Sequence, residues 1–373
     1  MRKEVRMKKL FIIILIICSI ILISCEKKVK FTAKNISLND SKYLLSFSGS
    51  DMNQFNNSIS VLYEDGSVKE IPVNTSMVLE NAVENQGEYY FYSRQKNIHY
   101  RMKDGRLEQF SIMKDVYSDG YYGVLYAYPT EKGCIQILNI GVQEGVYVTD
   151  IVRTHKDMEE LIYKLENKLA CSVVTEGGLL HIAYIDLKTE KPDQNSIGSS
   201  GIMTLDMESK RILADTLLPN QYRAEPDRPV VGFGEDVIVY SQELTEEGIP
   251  TGKSYIAAYR EGSQIKEIVA EELNILASYV HANKLYLFGD GGMIKIYDSD
   301  YKNIADSNLN IEGVIRKIYF KEDYVFIAVY GNDSKMYIHK YKLDSGILEE
   351  KYEVPYPSVI DWEIESFTFI PNL

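Results

Sequence analysis

Beyond about residue 30 the chain alternates short runs rich in Tyr, Ile and Val with turn clusters, at a spacing of roughly eight to twelve residues. Runs of that length, with apolar residues at alternate positions, predict β-strands. Their regular spacing predicts a sandwich, a barrel or a propeller. A finer repeat lies within the pattern. Seven times an apolar strand enters an acidic turn and leaves as another strand. The turns are Glu64-Asp65-Gly66-Ser67, Lys103-Asp104-Gly105, Gln143-Glu144-Gly145, Met207-Glu208-Ser209, Arg260-Glu261-Gly262-Ser263, Asp298-Ser299-Asp300 and Leu343-Asp344-Ser345-Gly346. Tyr63, Tyr259, Tyr297 and Tyr341 each stand shortly before the acid.

Most of these markers fall about 40 residues apart, the size of one four-stranded propeller blade. Two units are clear. One has strands Ile275–Val280, Lys284–Phe288, Met293–Tyr297 and Lys302–Ser307. The next has Val314–Phe320, Tyr324–Val329, Lys335–Tyr341 and Ile347–Tyr352. Such a unit has two apolar faces and buries them only by stacking on neighbours. The expected fold is therefore all-β, a β-propeller of seven four-stranded blades. Six or eight blades lie within the error of the spacing, and a pair of β-sandwiches is the structural alternative. Both chain ends are strand-like, over Lys30–Ser37 and Glu363–Ile370, so they should meet to close the ring. Which end supplies the missing strand stays open.

Two marker spacings are over-long, from Glu144 to Glu208 and from Glu208 to Glu261. The surplus falls in Thr154–Lys168, Asp186–Ser200, Pro219–Pro229 and Glu243–Lys253. Loops between blades and loops joining the second and third strands emerge on one face, so these segments should crowd one sector of it. Within Thr154–Lys168, Met158, Leu161, Ile162 and Leu165 follow helical spacing after a capping-box-like Thr154-His155-Lys156-Asp157. This predicts a short helix between blades 3 and 4. The Pro-punctuated segment carries Tyr222, Arg223 and Arg228, residue types frequent at binding hot spots. With Asp186 and Glu243 they form the candidate binding set, against the plainer reading of tolerated surface insertions.

The N-terminus carries a different pattern. Arg2, Lys3, Arg6, Lys8 and Lys9 precede an apolar run from Leu10 to Ile23, which ends in Leu22-Ile23-Ser24-Cys25. A basic leader, a short apolar core and a small residue make a secretory signal. The run is short for a bilayer span, which needs ~20 apolar residues. An uncleaved membrane anchor is the alternative. The Leu-Ile-Ser-Cys ending resembles the lipobox of bacterial lipoproteins. That resemblance implies removal of residues 1–24, diacylglyceryl attachment at Cys25 and a short tether over 25–30, leaving 31–373 as a single propeller domain. It places the protein on the extracytoplasmic face of a membrane: outside a Gram-positive cell, or periplasmic in a Gram-negative one. Lys27, Lys28 and Lys30 would lie against anionic headgroups. A tether of about five residues reaches at most ~20 Å.

Charge narrows the function. The 373 residues carry a formal net charge of −13, and the leader is basic, so the remainder is more acidic still. That argues against nucleic acid, which demands a cationic footprint. Of four cysteines only Cys134 and Cys171 lie beyond the lipobox, each in an apolar run. Export permits a disulfide between them, but buried free thiols are the favoured reading. The histidines His99, His155, His181, His281 and His339 share no metal-like spacing, and nucleophile elbows, P-loops and dinucleotide fingerprints are absent. Asp298-Ser299-Asp300 with Asn303 is a fragment of a calcium loop without its central Gly or distal Glu.

The repeat pattern also resembles the broad class of secreted bacterial propellers grouped as TolB-like and PQQ-repeat-like. The resemblance covers the whole region after the tether and rests on pattern, without a signature box. A single Trp, Trp362, disfavours the Trp-bearing repeats that line quinone-cofactor propellers. The expected function is a membrane-surface binding or scaffold module for a protein, peptide or glycan, with no cofactor. The alternative is a propeller-type carbohydrate hydrolase, which needs carboxylates gathered in the axial pocket at separations of ~5–9.5 Å.

Overall fold

The computed structural model describes residues 32–51, 54–73, 78–117, 122–155, 158–187, 199–219, 222–224, 230–245, 249–270, 273–356 and 364–372. The lipobox with Cys25, the tether and Arg228 lie outside them.

The strands come in groups of four. After a two-residue strand β1 (Thr32–Ala33), blade 1 takes β2 (Ser41–Asp51), β3 (Gln54–Tyr63) and β4 (Val68–Val73). Blade 2 is β5 (Leu79–Asn85), β6 (Glu88–Ser93), β7 (His99–Lys103) and β8 (Arg106–Phe110). Blade 3 is β9 (Gly123–Thr130), β10 (Gly133–Gln143), β11 (Val146–His155) and β12 (Met158–Glu166). Blade 4 is β13 (Lys168–Glu176), β14 (Leu179–Asp186), β15 (Ser199–Asp206) and β16 (Arg211–Leu217). Blade 5 has a divided inner strand, β17 (Tyr222–Arg223) and β18 (Val231–Phe233), followed by β19 (Asp236–Leu244), β20 (Pro250–Arg260) and β21 (Ser263–Ala270). Blade 6 is β22 (Ile275–His281), β23 (Lys284–Gly289), β24 (Met293–Tyr297) and β25 (Asn303–Asn308). Blade 7 is β26 (Val314–Lys321), β27 (Tyr324–Tyr330), β28 (Met336–Lys342) and β29 (Leu348–Val354), and β30 (Ile364–Pro371) ends the series.

Each group is one antiparallel meander, and β30 joins blade 1 as its inner strand, in the order β30-β2-β3-β4. The C-terminal strand therefore closes the ring: Leu44 lies opposite Ile370 and Phe47 opposite Phe367. The N-terminal strand expected over Lys30–Ser37 shrinks to Thr32–Ala33, which adds a fifth strand to the outer edge of blade 2.

The apolar faces meet in pairs, giving one buried cluster at each blade interface. Blades 1 and 2 share Leu44, Ile59 and Phe91; blades 7 and 1 share Phe47, Phe326 and Phe369. The five remaining interfaces each have their own cluster. Seven interfaces for seven blades make a closed ring. Burying a side chain such as Phe369 contributes roughly 1.5–3 kcal/mol.

Several of the acidic turns are tight hairpins whose two central residues both have positive φ: 46° and 68° at Asp104-Gly105, 52° and 84° at Glu144-Gly145, 49° and 79° at Glu261-Gly262. A two-residue hairpin that matches the twist of its strands needs that geometry, and Gly supplies it at the second position. Six of the seven markers join the third and fourth strands of a blade. Glu144-Gly145 instead joins the second and third strands of blade 3. The long spacing after it is thus partly a change of turn.

The expected helix within Thr154–Lys168 is a strand. Met158–Glu166 forms β12, the outer strand of blade 3, paired antiparallel to β11. Ile151 faces Tyr163 while Val152 faces Leu161, so Ile162 is an extra residue in a β-bulge. One inserted residue breaks the alternation and brings Ile162 and Leu165 both into the core. The result imitates helical spacing.

Candidate functional site at the axis and the loop face

The structure gathers most of the described candidate residues at the face where inner strands begin and second strands end. Tyr222 lies opposite Glu243, and Arg223 opposite Gln242, across β17 and β19. Glu243 accepts a hydrogen bond from Thr251 Oγ1 at 2.7 Å. Between β17 and β18 the pairing on β19 jumps from Gln242 to Ile238. Both sides of that jump are fastened to blade 4: Ala224 N–H donates to Ser200 Oγ at 2.9 Å, and Val230 N–H donates to Ser172 Oγ at 3.2 Å. Asp186 closes β14 on the neighbouring blade, opposite Ser199. Residues 188–198, the body of the blade 4 loop, lie outside the described residues. Thr154–Lys168 does not join the set, since it belongs to the blade 3 sheet.

Sequence reasoning named no residue at the axis, where side chains from inner strands of four blades line a cavity of about 340 Å³. Asn81 and Val83 come from blade 2, Tyr126 from blade 3, Ser278 from blade 6, and Lys317 and Tyr319 from blade 7. Ala82, Ala127, Ala277 and Ile318 complete a mostly apolar wall. Asn81 Nδ2 donates to the carbonyls of Val124 and Leu125, 3.1 Å each, tying blade 2 to blade 3.

At the far ends of the inner strands the ring of Tyr279 stacks on Phe320, with centroids 4.9 Å apart. Beside it Lys321 Nζ binds Glu84 Oε2 at 2.7 Å. These contacts mark one end of the inner strands. Near the opposite mouth, Glu80 Oε2 pairs with Arg94 at 2.9 Å. Lys317 Nζ comes within 3.5 Å of the Glu80 carbonyl oxygen. Glu80 and Glu84, both on the inner strand of blade 2, are thus each engaged by a cation. A carbohydrate hydrolase needs a pair of carboxylates facing the pocket, and neither glutamate is among the residues that line it. Burial, followed by the charges of Glu84 and Tyr89, raises the Tyr319 phenol well above its ordinary value, so it is neutral.

Other titratable groups are structural. Burial pushes His99 down to about 3 and His181 to about 4. His339 falls to about 4 through burial and then the charge of Lys351. All three are neutral at physiological pH. Cys134 and Cys171 are buried free thiols, and burial raises Cys134. The calcium-like turn spends its carboxylate internally: Asp298 Oδ1 accepts from Asp300 N–H at 3.0 Å and Lys302 N–H at 2.9 Å. Among the described residues no cluster of three metal-ligating side chains occurs.

No protein-family model matches the chain, and no curated protein matches it. Among solved structures it is similar to three β-propeller proteins. A putative 6-phosphogluconolactonase from Bacteroides fragilis is 13% identical, covering 90% of this chain and 100% of that one, with a TM-score of 0.49. BamB from Moraxella catarrhalis is 9% identical, covering 80% and 93%, with a TM-score of 0.47. AztD from Citrobacter koseri is 9% identical, covering 89% and 98%, with a TM-score of 0.44.

Proposed function

We propose that the protein is a lipid-anchored, extracytoplasmic propeller that acts as a binding module for a protein, peptide or glycan partner at the membrane surface. The observation that carries this reading is the loop-face sector of blades 4 and 5, where the divided inner strand that bears Tyr222 and Arg223 pairs with β19 at Glu243 and Gln242 and is fastened to blade 4. A sheet edge beside long loops is where binding residues concentrate, and Tyr and Arg are residue types frequent at binding hot spots. The carbohydrate-hydrolase reading is weakened by the ion pairs of Glu80 and Glu84.

Anchoring and binding are linked by distance. Seven residues lead from Cys25 to Thr32, a reach of at most ~25 Å. Thr32 pairs at the outer edge of blade 2, so the attachment is to the rim of the disc. A disc tethered at its rim within that distance keeps its partners close to the bilayer.

Photo-crosslinking residues installed at Arg223 and Glu243, and at Ile304 on the outer rim of blade 6, test the surface on intact cells. A discrete crosslinked species from the first two positions alone is expected. Equal yield at Ile304, or none at Arg223 and Glu243, overturns the assignment. Replacing Cys25 by Ala is expected to move the protein from the detergent phase to the aqueous phase in a cloud-point partition of whole-cell extract. Unchanged partitioning removes the lipid anchor from the proposal.

A further inference from the structure

We infer that the axial cavity is a binding site for a small organic anion, a carboxylate carried on an apolar body about the size of one aromatic ring and a short chain. Its volume of about 340 Å³ lies at the small end of ligand pockets. Ala82, Ala127, Ala277, Ile318 and the rings of Tyr126 and Tyr319 give it the wall that shelters an apolar body. The Tyr279–Phe320 stack and the Lys321–Glu84 pair lie at the far ends of the strands that line it.

Two polar groups in the lining await a partner. Lys321 is saturated by Glu84, but four positions earlier on the same strand Lys317 has no carboxylate partner among the described residues. Its ammonium meets only a carbonyl oxygen at 3.5 Å. Beside it Arg316 leans on the Tyr330 ring at 5.7 Å, adding a second positive charge toward the mouth. From blade 6, Ser278 is 5% exposed, and its hydroxyl, buried without a hydrogen-bond partner, meets a ligand in the cavity only on turning about χ1. A buried hydroxyl left unpaired costs stability that a bound acceptor restores. With Glu80 and Glu84 each paired to a cation, the side chains described here leave a cationic pocket inside a protein of net charge −13. Low-dielectric walls concentrate that local field on an entering anion. A carboxylate takes a charge-assisted bond from Lys317 and a hydrogen bond from Ser278, while its body displaces water from the alanine and tyrosine walls.

The inference is independent of the loop-face partner. Full-length protein in nanodiscs is titrated calorimetrically with 3-phenylpropionate and with its neutral analogue 3-phenylpropanol, the heat of empty nanodiscs being subtracted. The acid is expected to bind at one site per chain, about tenfold or more tighter than the alcohol. Lys317→Met should abolish that preference while leaving the alcohol's affinity unchanged, and Ser278→Ala should weaken the acid several-fold. Equal affinities in the unmodified protein, no saturable binding of the acid at about 10 mM, or a preference that survives in Lys317→Met each overturn the proposal. Comparison of acid with alcohol in the unmodified protein needs no variant to fold. Lys317→Gln is the polar replacement if the Met variant is unstable.

Discussion

His99 accepts the backbone N–H of Ser93 at Nδ1, 3.1 Å away, and lies 3.1 Å from Asn97 Oδ1 at Nε2. The first bond needs a bare Nδ1, so the proton sits on Nε2 and a second proton has no place to go. His181 and His339 are likewise held neutral by burial, each 7% exposed or less. Their folded-state values lie below the ordinary value near 6.5. As pH falls below 6.5 the unfolded chain therefore takes up protons that the folded chain refuses. Stability is complete above that point and declines toward pH 4, by up to about 1.4 kcal/mol per pH unit for each histidine. The urea midpoint should fall between pH 7 and pH 5, and His99→Gln should flatten that dependence. A midpoint constant across that range contradicts the assignment. Cys134 and Cys171, each 1% exposed, should react with a thiol reagent only on unfolding, and both should react without prior reduction. At this scale the sequence was legible for the cysteines, whose apolar surroundings predict buried thiols. Lys317 and Ser278 were not legible: inside apolar strands they look like ordinary alternation, and only the ring brings them together. The paired cations Arg316-Lys317 in the middle of the inner strand Val314–Lys321 were the available signal.

Strands and turns follow local chemistry closely, and the strand that looked helical did so because of a bulge. Extra residues recur in the outer strands of successive blades: Leu213 on β16, Ile265 on β21 and Ile304 on β25, all exposed. Each twists an edge that would otherwise invite pairing with another chain. Period alone cannot tell a bulged strand from a short helix, and Met158–Glu166 was misread for that reason. The acidic turns were legible because a two-residue hairpin restricts its central residues sharply. A close approach makes a further test. A Cβ on Gly123 at the start of β9 would stand 1.5 Å from the Arg94 carbonyl oxygen in the preceding blade. Gly123→Ala should therefore cost about 2–3 kcal/mol through forced displacement of backbone. A denaturation midpoint within error of the unmodified protein would contradict that contact.

At the scale of the whole ring, closure depends on β30. Phe367, Phe369 and Ile370 fill the interfaces on both sides of blade 1. Removing residues 364–373 should abolish cooperative thermal unfolding, and a synthetic peptide of that sequence added in trans should restore it in calorimetry. Cooperative melting of the shortened chain would show that six complete blades and one open one suffice. Blade number was legible from the turns, whereas the closing strand was not, because both ends have the same alternating pattern.

The placement of β1 has a mechanical side. Any pull on the N-terminus first loads the pairing of Thr32–Ala33 with β8 and the buried Ile36, whose N–H donates to the Gly105 carbonyl at 3.0 Å. Those few bonds can peel one after another, like a zip, before tension reaches β2. The β2–β30 seam that holds the ring shut is spared, so the first contacts to yield are ones the disc can lose and remake without coming apart.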